Sequence, residues 1–238
     1  ISIIPLIYFC VLKFSSNKFK LFLAIGLVTR LFSFSLYNPP TAAVVISVIF
    51  IASFHYILSN GAISIRSIVD YLKLIFISLL GFLIFNLDWL SVLFYSIQNN
   101  YIDAIFSQDF ALSWAGAVSG QGELLFKALS QRQIIASGTS IDAFYNSTLM
   151  VIILYGLTGL IVIKNSLSKN RVNILFAFTI ILLIFLTKGV ANPFGIIYLY
   201  LMENFPFFYI FKTPTEKFGM LLNFFIFISL ASILRNRK

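Results

Sequence analysis

Unbroken apolar runs dominate this chain: ISIIPLIYFCVL, LFLAIGLV, TAAVVISVIFIASF and LIFISLLGFLIF are four of them, with short polar stretches between. A run that is apolar on every side has no polar face for water and needs lipid around it. Composition agrees: 60% of the residues are hydrophobic and 11% charged, against about 25% charged in a soluble domain. Lipid satisfies no backbone polar group, so a span must be a helix or part of a closed barrel. The runs are continuous rather than alternating, which selects helices. The expected fold is an all-α, multi-span integral membrane helical bundle.

The runs predict a partial span at 1–12 and six full spans at 21–36, 41–58, 74–94, 148–163, 172–187 and 218–234. Several fall short of the roughly 20 residues that a bilayer needs, so their ends extend into the flanking loops. Tyr37-Asn38-Pro39-Pro40 reads as a tight turn, and 59–73 reads as a loop with Arg66, Asp70 and Lys73. The first residue is an apolar Ile1 with no basic segment before it, and the chain stops at RNRK directly after a span. This is the expected appearance of one transmembrane domain, 1–238, cut from a longer chain.

Charge sets the expected orientation. With 13–20 inside, the inner segments 13–20, 59–73, 164–171 and 235–238 collect eleven cations: Lys13, Lys18, Lys20, Arg66, Lys73, Lys164, Lys169, Arg171, Arg235, Arg237 and Lys238. Five fall outside, namely Lys127, Arg132, Lys188, Lys212 and Lys217, and Arg30 lies within a span. The net charge of +9 is therefore distributed by the membrane and not gathered for nucleic acid. Two loops, 95–147 and 188–217, share the outer side. GELLFKALSQR and QNNYIDAIFSQDF in the first read as short helices along the membrane surface.

Few residues offer chemistry. No triad, phosphate loop, dinucleotide fingerprint or metal-ligand spacing is present; no cofactor is expected, with a divalent metal left open but not indicated. Cys10 is the one cysteine and His55 the one histidine, both inside apolar runs; His55 is packed or pore-facing. Arg30 either pairs with an acid such as Asp88 or binds an anion. Asp88, beside Asn86 and Trp89 near the outer end of its span, is a weak candidate for a general base or a sugar contact, or else an interfacial residue reaching water.

The outer loop Asn192 to Gly219 is the most crowded stretch. Asn192-Pro193 is a helix start. Residues 194–204 predict an interfacial helix with Phe194, Ile197, Tyr198 and Leu201 on one side, ended by Pro206; Tyr198, Tyr200 and Tyr209 suit the headgroup level. Pro214 and Glu216 suit the first turn of the last span. Lys188, Lys212 and Lys217 bracket this loop. They are either contacts for a phosphate or lysines snorkelling at helix ends.

Pro193-Phe194-Gly195, LYLMENFPFF, and Phe211-Lys212-Thr213-Pro214 with Lys217-Phe218 together resemble a pattern in bacterial and archaeal membrane proteins of the GT-C glycosyltransferase class. The group nearest in pattern is the alpha-(1→3)-arabinofuranosyltransferases. LIFNLDWLSVLF is similar to a further stretch of the same proteins. Lys212 stands where that pattern has arginine and Phe207 where it has glycine, and one proline before Phe194 is absent. The resemblance implies transfer of a sugar from a polyprenyl-phosphate carrier at the outer face of a prokaryotic cytoplasmic membrane. On that implication Lys212, Lys217, Lys188 and Arg30 are the donor-phosphate candidates, and Asn86, Trp89, Asn192 and Glu216 are candidate substrate contacts. The catalytic acid usually sits in a first external loop that matches nothing here. A transporter, a flippase for lipid-linked sugars and a non-catalytic membrane subunit remain the alternatives.

Overall fold

The computed structural model describes residues 3–33, 39–60, 64–98, 148–190, 195–205, 208–211 and 214–235. The described residues are almost entirely helical and lie in two compact units, Ile1–Asp103 and Ala104–Lys238.

The first unit holds α1 (Ile3–Phe14), α2 (Lys18–Leu31), α3 (Pro39–Ser59), α4 (Ile65–Phe85) and α5 (Leu87–Gln98). α1 packs on α2 and α3, α4 packs on α2 and α3, and the four close into a ring. Ile7, Val11, Leu21, Ile25, Val45, Val48, Ile49 and Leu74 fill its interior. α2 and α4 approach most closely, because glycines face the contact. A Cβ on Gly81 would stand 2.5 Å from the Phe22 carbonyl oxygen, and one on Gly26 would stand 2.4 Å from the Phe85 ring. Small residues at such crossings let backbones meet where no water drives the helices together. Phe22 and Phe85 then meet edge to face, 5.7 Å between centroids.

The second unit holds α6 (Thr148–Ser166), α7 (Arg171–Lys188), α8 (Gly195–Asn204), a 3-10 turn (Phe208–Phe211) and α9 (Pro214–Arg235). α7 and α9 form its main contact, with α6 against both. Phe176, Ile180, Leu221, Leu222 and Phe225 make the core. Asn173 ties one end together: its Nδ2 donates to Ser168 Oγ at 3.0 Å, and Ser232 Oγ donates to its Oδ1 at 3.1 Å.

Among the described residues, four helical stretches are long and apolar enough to cross a membrane: Pro40–Ser59, Ile65–Phe85, Arg171–Lys188 and Lys217–Leu234. Leu72, Phe76, Leu80, Leu83 and Ile84 of α4 point away from the bundle and are exposed. Such a surface belongs in lipid, and the architecture is that of a helical integral membrane protein.

Three boundaries differ from the sequence expectation. Within the stretch 59–73 read as a loop, residues 65–73 are helical, since Ser64 caps α4 by accepting a hydrogen bond from the Ser67 N–H at 3.2 Å, which places Arg66, Asp70 and Lys73 on the helix. The span predicted at 74–94 is interrupted at Asn86, whose backbone is non-helical at φ −121° and ψ 16°. Pro39 and Pro40 open α3 rather than sitting in a turn. The first turn of a helix has no partner for its N–H groups, so proline loses nothing there. The two surface helices expected within 99–147 lie outside the described residues.

Replacing Gly81 by leucine should lower the detergent-solubilised melting temperature, at about 1–3 kcal/mol for overpacking. Gly156→Ala, where a Cβ meets nothing within 4 Å, should leave the melt unchanged. Equal melts for the two variants would contradict the close α2–α4 crossing.

Candidate functional site

The described residues among the candidate site residues fall in two places, one in each unit. The first is the corner where α2, α4 and α5 meet. Thr29, in the last turns of α2, donates its hydroxyl to the carbonyls of Ile25 (2.8 Å) and Gly26 (3.0 Å). Its oxygen still accepts, and Asn86 Nδ2 donates to it at 2.9 Å. The same Nδ2 donates to the Phe82 carbonyl at 2.8 Å, while Trp89 Nε1 donates to Asn86 Oδ1 at 3.0 Å. Thr29 and Asn86 are fully buried and Trp89 is 5% exposed. The polar atoms of Asn86 and the indole N–H are thus engaged inside the bundle, with the Phe82 ring edge-on to Trp89.

Asn86 also decides where the helix breaks. Its N–H bonds to the Leu83 carbonyl at 3.2 Å, and its own carbonyl accepts the Leu90 N–H at 3.1 Å, so it ends α4 and starts α5. Asp88 consequently lies in the first turn of α5 and Arg30 in the last turn of α2. Each charge has the sign that its helix end favours. They meet: Arg30 Nη1 donates to Asp88 Oδ1 and Oδ2, each at 2.7 Å. The side chains are 46% and 54% exposed. The hydrogen bond from Arg30 is the main cause that holds the Asp88 carboxyl below the ordinary carboxylate range. A carboxylate so held is a poor proton acceptor. Of the two fates considered for Arg30, pairing with Asp88 is the one observed.

The second place is the connection between α7 and α9 in the other unit. α7 ends in Gly189, whose φ of 61° is left-handed and suits glycine. Gly195 opens α8 where a Cβ would lie 2.0 Å from the Val190 carbonyl oxygen. The buried side of α8 is Gly195, Tyr198 and Met202. Tyr198 faces the protein interior: it is fully buried, and its hydroxyl donates to the Phe211 carbonyl at 2.8 Å. Tyr198, Phe208, Phe211 and Phe218 form a chain of rings with centroids 5.3, 5.6 and 4.9 Å apart. This chain fixes the loop onto the head of α9, where Pro214 is the first residue, Glu216 the third and Lys217 the fourth. Lys217 is 9% exposed and Lys188, at the end of α7, is half-buried. Asn192, Lys212 and the Glu216 side chain lie outside what is described.

His55 is packed rather than isolated: its Nδ1 and the Tyr8 hydroxyl are in hydrogen-bond contact between α1 and α3. Sequence reasoning did not find Thr29 or the Tyr198–Phe211 bond. The three-residue spacing of Asn86 and Trp89 was the available signal for the first corner, because i and i+3 share a helix face. Tyr198 carried no such signal, its partner being a backbone carbonyl beyond a turn. The chain matches no known family, no curated protein and no solved structure.

Asn86→Leu should destabilise the protein by roughly 1–3 kcal/mol, since it leaves a buried indole N–H without its acceptor. Adding Trp89→Phe should recover part of that loss, and strict additivity in the melts would argue against the node. The Arg30–Asp88 pair should show in the pH dependence. Asp88 titrates lower in the folded chain than in the unfolded one, so its stabilisation is present above the ordinary carboxylate range. It is lost as pH falls through the lowered value. Asp88→Asn should melt lower than wild type at neutral pH and converge with it in acid.

Proposed function

We propose that this chain belongs to a membrane glycosyltransferase of the GT-C kind, moving a sugar from a polyprenyl-phosphate donor to a cell-envelope glycan or glycolipid at the extracytoplasmic face. The observation that carries the reading is Lys217, a largely buried lysine in the first turn of a membrane-crossing helix. It stands where the resemblance to that class puts a donor-phosphate contact. Helix N-terminal amides and a lysine together suit a phosphate oxygen. The adjoining rings of Phe211 and Phe218 offer an apolar flank to an isoprenoid tail.

In this scheme the acceptor hydroxyl oxygen bonds to the sugar's anomeric carbon as the bond to the donor phosphate oxygen breaks. The hydroxyl proton passes to a carboxylate. Lys217, with Lys212 and Lys188, stabilises the charge that builds on the departing lipid phosphate. Asp88 is ill suited to be that carboxylate while Arg30 holds it ionised. The proposed topology has six full spans and a partial one, the fourth in chain order being Ile65–Phe85, with 13–20, the connection from α3 to Ser64, 164–171 and 235–238 cytoplasmic and 95–147 and 188–217 outside.

A transporter built on discontinuous helices breaks them near the middle of the bilayer. The break at Asn86 follows a complete helix of 21 residues, about 31 Å long and close to the full hydrocarbon thickness. It therefore lies at a membrane edge and gives the transporter reading no support.

In membranes containing the intact protein and a polyprenyl-phosphate-linked sugar, Lys217→Ala should cut transfer by about 100-fold, with Lys212→Ala also impaired. Undiminished transfer by both variants would sink the assignment.

A further inference from the structure

We propose that the turn between α1 and α2 docks the phosphodiester headgroup of an anionic membrane lipid. This rests on the helical membrane architecture and is independent of sugar transfer.

Three lysines, Lys13, Lys18 and Lys20, fall within eight residues that contain no acid. Hydrogen bonds close the turn itself. Asn17 caps α2 by accepting the Lys20 N–H at 3.0 Å, the Asn17 N–H reaches the Phe14 carbonyl at 3.0 Å, and Ser15 Oγ donates to the Leu12 carbonyl at 3.1 Å. Lys18 completes it, with Nζ donating to the Ser15 carbonyl at 2.6 Å. Lys13 and Lys20 are left exposed on either side. The Lys13 ammonium lies over the Phe9 and Phe14 rings, 5.1 and 6.0 Å from their centroids, which holds it in place by cation–π attraction. Among the described residues none of the three lysines is paired with a carboxylate. The far end of α2 differs, for there Arg30 is matched by Asp88.

Helix length sets the depth. α2 has 14 residues, about 21 Å against a hydrocarbon core of about 30 Å. A short apolar helix draws its polar ends towards the lipid phosphates. Phe9, at 54% exposure, and Phe19, at 69%, flank the turn as apolar neighbours for the acyl chains. Cations at phosphate level with exposed rings beside them match a lipid headgroup better than a free anion.

The test places the intact protein in mixed micelles of phosphatidylglycerol and phosphatidylcholine at equal amounts and reads retained lipid by native mass spectrometry. Wild type should retain phosphatidylglycerol preferentially, and Lys13→Gln with Lys20→Gln should lose about fivefold per lysine removed. Lys13→Arg with Lys20→Arg should keep the preference, and so should Lys164→Gln with Lys169→Gln. If the glutamine variant does not fold, the wild-type preference must still fall as salt rises. A preference that is salt-independent, that is absent from wild type, or that survives in a folded glutamine variant overturns the proposal. So does displacement of the lipid by inorganic phosphate at comparable concentration.

Discussion

A polar side chain inside a lipid-embedded bundle is stabilised where its partners lie within the protein, and the first unit is built around one whose partners do. Asn86 divides its amide between Thr29, the Phe82 carbonyl and Trp89. Each bond joins a different pair of elements or fixes the bend between two. α2 is tied to α4, the last turn of α4 is closed, and α5 is set at its own angle. The ion pair between Arg30 and Asp88 follows from this arrangement. Two helix ends of opposite polarity are brought together with a charge of the right sign on each. The close glycine crossing of α2 and α4 lets side chains as short as threonine and asparagine reach across.

The second unit solves a different problem with different means. Its loop must return to the bundle between two spans, and rings do most of the holding. Tyr198 has an apolar body and one polar atom, and the hydroxyl finds the Phe211 carbonyl at the start of the next connection. Glycines at 189 and 195 permit a left-handed cap and a backbone contact that any side chain would block. Lysine at 217 is then enclosed at the head of α9 rather than left at the rim.

The helical membrane architecture was legible from residue type alone, because continuous apolar runs admit one kind of secondary structure in lipid. Boundaries were less so. Ser64 as a cap overrode the charges of Arg66, Asp70 and Lys73 that made 59–73 read as a loop. Asn86 broke a run that hydropathy alone treats as continuous, since hydropathy does not register a side chain competing for a carbonyl. The pairing of Arg30 with Asp88 could be named in advance, as opposite charges in apolar runs have few other partners. The bond from Asn86 to Thr29 could not, because it depends on the helix crossing. The burial of Tyr198 was hidden for the same reason: a tyrosine facing lipid headgroups and a tyrosine under a loop have the same sequence context.

The indole at position 89 has an optical consequence. The chain has two tryptophans, Trp89 and Trp114. With Trp114 replaced by phenylalanine, the remaining emission would come from a ring screened from water and hydrogen-bonded to one amide. Its wavelength and quenching by soluble iodide would then register the angle between α4 and α5 directly. Any ligand that bends this corner would announce itself as a spectral shift without a label.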